Sequence, residues 1–239
     1  MHRLVISGAF ALLAFSCLHP ARAIEPSPLQ PFHADYQVLR NGKELGHATL
    51  TLRDAGNGNW EFSSQTKGTK GMASMLGLDV LEKSTFHWRD GLPEGLQYRY
   101  SQQAAIKSRE RSTDFDWSAR QAVSHDGGNT STAPLQGSAM DRNLVTLALM
   151  AKLKTGAHDL AFPVVDKDHV STQRYATGAH EALPLPAGTI EAVRVDRQRD
   201  DNKRTTTSWF APQRNWLPVQ IEQVEKNGET ITMQLAAGH

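Results

Sequence analysis

The residues best placed for acid–base chemistry are Asp114 and Asp116, two positions apart in Ser108–Trp117, SRERSTDFDW. On a strand, side chains two apart share a face, so these two carboxylates would sit one pleat from each other. Such a pair can push one carboxyl pKa upward and act at a glycosidic or ester bond, with His87 as a further proton carrier. Strand faces in water carry such pairs routinely, so the blander reading is a solvated face. The same alternation places Arg109 and Arg111 on the other face with Phe115 and Trp117. That reads as a strand passing from a wet rim, where two cations could meet an anionic headgroup or glycan, into a packed interior.

Other chemistries find little support. A hydrolase needs a nucleophile with a base in reach, yet no G-x-S-x-G elbow occurs and the single cysteine is Cys17. The histidines at 33, 47, 87, 125, 158, 169 and 180 stand singly, without the H-x-x-x-H or H-x-H spacing of metal ligands. Asp166-Lys167-Asp168-His169 opens like a calcium loop but lacks the following Gly and the distal Glu, and reads as a polar hairpin turn. No catalytic residue, metal ligand or cofactor is assigned from these patterns.

A different kind of site is suggested by Lys67–Glu82, KGTKGMASMLGLDVLE, with three glycines, two methionines, leucines at 76, 78 and 81 and no clean period. One reading is a small satellite of the core. The other is a flexible apolar flap at a cavity mouth, with Met72, Met75, Leu76 and Leu78 touching a ligand, because methionine adapts to varied shapes.

The elements that must position these residues are mostly strands. Ala34, Tyr36 and Val38 alternate with polar neighbours, Asn41-Gly42 turns, His47–Leu52 returns, and Asn57-Gly58 turns again into Trp60–Thr66. Ser84–Trp88, Leu96–Gln102 and Ser108–Trp117 continue the pattern, as do Leu160–Val165, Val170–Thr177 and Gly188–Arg197. At the end, Trp209-Phe210-Ala211-Pro212 and Trp216-Leu217-Pro218 lead into Val219, Ile221 and Val224. Asn227-Gly228 then closes a hairpin onto Ile231, Met233 and Leu235. Leu144, Leu147, Met150 and Leu153 predict one amphipathic helix over about 141–154, capped by Asp141. The expected fold class is mainly β: a large antiparallel meander forming a β-sandwich or half-barrel with that single helix. Repeated βαβ units are excluded.

Residues 1–23, MHRLVISGAFALLAFSCLHPARA, carry a basic start, an apolar stretch and an Ala-x-Ala end, the form of a cleaved export signal. Cleavage near Ala23 would place the protein in the periplasm without a cysteine. Residues 24–31 read as an extended leader and 32–239 as a single β domain. The whole chain has 26 Lys+Arg against 25 Asp+Glu; loss of Arg3 and Arg22 leaves 24 against 25. That balance offers no basic field for nucleic acid. No other run has the ~18 apolar residues of a membrane span.

The order of Trp209-Phe210-Ala211-Pro212, Asn215-Trp216-Leu217-Pro218-Val219 and Asn227-Gly228 resembles the C-terminal signature of an exported bacterial family, domain of unknown function 3108. Tyr36 with Gly42 and Gly46, Phe115-Asp116-Trp117, Asp141 before an apolar helix, and Pro186-Ala187-Gly188-Thr189 before a strand follow in the family's order. The likeness covers most of residues 32–235. It implies a large antiparallel β-sandwich or half-barrel in the cell envelope, and no catalytic residues. The expected function is a non-enzymatic binder or carrier of an apolar or amphiphilic envelope component, with a lipid, acyl chain or glycan as ligand. An envelope hydrolase or a structural interaction module is the alternative.

Overall fold

The computed structural model describes residues 25–105, 108–158, 160–199 and 204–238, so the export-signal reading of residues 1–23 falls outside the described part. From Phe32 the alternation becomes strands. In β1 (Phe32–Arg40) the inward side chains Ala34, Tyr36 and Val38 are buried, while β2 (Lys43–Gly56) buries Ala48, Leu50 and Leu52. Asn41-Gly42 and Asn57-Gly58 join β1, β2 and β3 (Asn59–Gly68), all four residues having positive φ. Paired left-handed residues give a two-residue turn whose twist matches the strands it joins.

The meander runs on through β4 (Asp79–Arg89), β5 (Leu92–Gln103), β6 (Arg109–Asp116), β7 (Gln121–Asp126) and β8 (Asn129–Pro134). A second meander comprises β9 (Leu160–Asp166), β10 (His169–Leu185), β11 (Gly188–Gln198), β12 (Arg204–Ala211), β13 (Leu217–Glu225) and β14 (Thr230–Leu235). The two are joined by β1 pairing antiparallel with β14, Tyr36 opposite Leu235 and Arg40 opposite Ile231. One 14-stranded sheet results, in the order β8-β7-β6-β5-β4-β3-β2-β1-β14-β13-β12-β11-β10-β9. It curls until it is nearly closed into a barrel. The sandwich alternative is thereby replaced: a single sheet supplies its own opposite wall.

Near the seam, Met140 makes a parallel bridge to Val164, with Met140 N–H donating to Pro163 O (3.1 Å) and Val165 N–H to Met140 O (2.9 Å). Gly95 N–H donates to Ala139 O at 3.0 Å, so the segment at 139–140 is stitched to β5 on one side and β9 on the other.

Inside lies α2 (Val145–Lys154), where the structure corrects the amphipathic reading. Val145, Leu147, Ala148, Leu149, Met150, Ala151 and Leu153 are all buried, leaving only Thr146, Lys152 and Lys154 outside that class. A helix apolar nearly all round is a core element. It begins four residues later than expected, although Asp141 still organises its start: Oδ1 accepts from Asn143 N–H (2.9 Å) and Leu144 N–H (3.3 Å). The leader is tied down as well, with Leu29 buried and both Glu25 oxygens accepting from the Asp90 and Gly91 amides at 2.6 Å. Among the described residues no helix is long and apolar enough to cross a membrane. The outward positions of β2 and β3 include His47, Thr49, Thr51, Glu61 and Ser63, whereas a lipid-facing barrel is apolar outside.

Candidate ligand-binding site at the open end of the barrel

Antiparallel order sends successive turns to alternate ends. The β1–β2, β3–β4, β5–β6, β7–β8 and β13–β14 connections share one end; α2 fills the other, where Met150 and Lys154 lie beside Phe32 and Leu217. At the end away from α2 the β3–β4 connection forms α1 (Gly71–Met75), a ledge over a groove of about 650 Å³. Leu45, Ala73, Leu76, Leu78 and Ile231 provide apolar lining, and Arg40, Lys43 and Lys70 stand among the lining residues as cations. Glu229 pairs with Arg40 at 2.5 Å and raises the guanidinium pKa by that hydrogen bond.

The ledge is pinned by its backbone. Thr69 N–H and Lys70 N–H donate to Leu45 O (3.0 and 3.2 Å), Leu78 N–H to Ala73 O (3.0 Å), and Ala105 N–H to Leu76 O (2.8 Å). Gly68 permits the approach, since a Cβ there would stand 2.6 Å from Ala73 Cβ. Neither sequence reading of 67–82 describes this arrangement fully. Ala73 is buried and Leu76 and Leu78 half-buried, but Met72 is 67% and Met75 79% exposed. Met72, Leu76 and Leu78 come together at the groove; Met75 is not among its lining residues.

Arg109 and Arg111 lie elsewhere, on β6, where both meet Asp126 of β7 (2.7 and 3.2 Å). Hydrogen bonding from Arg109 and the charge of Arg111 hold the Asp126 carboxyl below the usual range. Further along β6 Phe115 is buried, so the strand does pass from a charged rim into a packed interior. The hydrolase candidates each have separate local partners. Asp114 pairs with Arg99 (2.7 Å), Asp116 accepts from Ser118 Oγ and Ala119 N–H in the β6–β7 turn, and His87 pairs with buried Glu94 (2.7 Å). Asp166–His169 forms the β9–β10 turn.

Sequence reasoning missed a chamber of about 450 Å³ between the first turn of α2 and the upper strands. Arg142, Arg197, Arg199 and Arg204 line it, with Tyr100 and Tyr175. Arg142 donates to Glu82 Oε2 (3.0 Å) and to Tyr98 Oη (2.8 Å), and its guanidinium lies 5.1 Å from the Tyr100 ring centre. Burial pushes the Tyr98 hydroxyl pKa upward, and Glu82 beside it acts in the same direction. Below them Ser84 Oγ donates to Asp141 Oδ1 (2.8 Å); burial raises the Asp141 pKa to about 7. A signal for the chamber existed: the inward parity of β11, β12 and β13 turns polar at Arg197, Thr206 and Gln223.

A family model described as "Protein of unknown function (DUF3108)" matches residues 32–236. No curated protein matches the chain. Among solved structures, a β-barrel-like protein of domain of unknown function DUF1849 from Brucella abortus is similar at a TM-score of 0.51 and 13% identity. The alignment covers 89% of this chain and 98% of that one, which places the likeness in the fold.

Proposed function

The chain belongs to the DUF3108 family, and from that premise we propose that it is an exported, non-enzymatic binder or carrier of an amphiphilic component of the cell envelope. The observation that carries this reading is the groove at the open end. An apolar lining of Leu45, Leu76, Leu78 and Ile231 suits an acyl chain, and Lys43 and Lys70 suit an anionic headgroup, Arg40 being paired with Glu229. Exposed Met72 gives the ledge a soft apolar edge, the kind of surface that adapts to more than one ligand. The periplasm is the proposed compartment, from the form of residues 1–23.

The test is titration of the purified protein with a fluorescent eleven-carbon fatty acid. Saturable uptake is expected, and Met72→Ser with Leu76→Ser should weaken it about fivefold or more while unfolding shifts by less than about 1 kcal/mol. No uptake, or uptake indifferent to both substitutions, overturns the reading. N-terminal sequencing of the exported chain should begin at Ile24; a chain beginning at Cys17 with added acyl mass would mean a lipid-anchored protein instead.

A further inference from the structure

Among the described residues two large hydrophobic side chains are exposed, Met72 and Met75, and both stand on α1. Three positions apart on a helix, they share one face, while Ala73 turns away and is buried against Gly68. Single exposed apolar residues are ordinary; a pair at the mouth of an apolar groove is a patch. The groove accounts for Met72, which lines it, but not for Met75, which does not. The backbone bonds from Thr69, Lys70, Leu78 and Ala105 fix the ledge that carries the pair.

The charges round the patch leave one sign over. Asp79 meets Lys67 (3.8 Å) and Glu229 meets Arg40, so the remaining acid is Glu44, 3.9 Å from His47. Against it stand Lys43 and Lys70, both exposed and without an ion-pair partner among the described residues. Lys226 lies in the same turn as Glu229. Beyond Ala105, which bonds to the ledge, the sequence continues with Ile106 and Lys107 and adds no acid. On that flank Arg109 and Arg111 balance Glu110 and Asp126. The acids at 166 and 168, between β9 and β10, and at 200 and 201, between β11 and β12, are separated from α1 by β2, β1, β14 and β13 in the sheet order.

We propose that the α1 ledge docks the mouth of the barrel on the surface of an anionic lipid bilayer. Methionine is apolar enough to enter the interface, and its flexible stem fits disordered acyl chains. Lysine beside it keeps its charge at headgroup level while its stem runs along apolar surface. A protein partner fits the patch less well, because a stable protein interface buries about 800 Å² on each side, far more than two side chains offer. A bilayer needs no matching shape. The proposal deepens the carrier reading and takes its purpose from it. Met75 touches lipid, Met72 stands at the lip, and Leu76 and Leu78 continue the apolar path into the groove. An amphiphile then passes between membrane and groove without its chain crossing open water.

Co-sedimentation of the purified protein with vesicles tests this, using phosphatidylcholine alone and phosphatidylcholine with about one-third phosphatidylglycerol. Binding is expected to the anionic vesicles, and should fall as salt rises from about 0.05 M to about 0.5 M. Lys43→Gln and Lys70→Gln should each weaken it about fivefold. Met75→Ser should weaken it about tenfold and Met75→Leu preserve it, with fatty-acid uptake by the groove unchanged in both. Arg120→Gln, in the β6–β7 turn at the other end, should leave it as it was. Equal binding to neutral vesicles, binding to neither, or binding indifferent to Met75→Ser overturns the inference, as does an equal loss from Arg120→Gln. Self-association on size exclusion that Met75→Ser abolishes, without vesicle binding, gives the ledge to a second copy and overturns it too. Fatty-acid uptake without vesicle binding sinks the docking and leaves the carrier; Met75-dependent vesicle binding without uptake does the reverse.

Discussion

Asp141 sits at a junction of structure and charge: fully buried, bonded through Oδ1 to Ser84 and the start of α2, with Oδ2 unpartnered. Burial raises its pKa from 3.8 to about 7, the Ser84 and backbone hydrogen bonds offsetting only part of that. The folded protein therefore binds this proton more tightly than the unfolded chain. Its stabilising share is full below pH 3.8, is lost as pH rises towards 7, and is level above. Asp141→Asn keeps an oxygen for the cap and removes the titration. Urea unfolding at about pH 5 and pH 8 should show wild type losing on the order of a few kcal/mol relative to the variant; parallel pH profiles would contradict it. A second residue-level test concerns Gly95, where a Cβ would lie 2.8 Å from the Phe115 ring. Gly95→Ala should cost about 1–3 kcal/mol by thermal unfolding, and Phe115→Leu in the same chain should recover part of it.

The two helices behave as opposites. Leu147 in α2 is fully buried and Leu147→Ala should cost about 2–5 kcal/mol, whereas Met75→Ser on α1 should change unfolding by no more than about 0.5 kcal/mol. Equal losses would mean that the ledge is part of the core. The strands flanking Asn41-Gly42, Asn57-Gly58 and Asn227-Gly228 were legible because turn chemistry and apolar alternation agree there. The strands β7 and β8 were not, since their inward residues, Ala122, Ser124 and Ala133, are small and carry no apolar stripe. They stay small beside Phe115 and Leu135, which fill that corner. The helix was legible as apolar but not as enclosed, because Thr146 and Lys152 look like a solvent face until the sheet wraps round them. The chamber was hidden for a related reason: a polar residue on an inward face reads, in one dimension, like one facing water. Arg111 was singled out from its strand; Arg142, Arg197 and Arg204 become neighbours only when β11 and β12 curl back over α2.

At the scale of the molecule, the sheet is two meanders built from hairpins between consecutive strands, plus one junction of another kind. Tyr36 of β1 faces Leu235 of β14, its hydroxyl donates to Pro218 O at 2.8 Å, and Ala236 N–H donates to Asp35 O at 2.9 Å. Every hairpin can form from chain already made, but β1 receives its second partner only when β14 exists. During synthesis β1 remains an open edge for nearly the whole time, a strand with unpaired amides beside apolar side chains. Such an edge recruits other chains. Translation stopped after Glu225 should therefore yield a product that self-associates on size exclusion and is cut readily by protease, and adding a peptide of residues 226–238 should reduce both. A monomeric, protease-resistant product would mean that the junction is dispensable. The same timing gives a newly made chain a long interval before its fold can close, and a strand-shaped vacancy for any chaperone that binds extended segments.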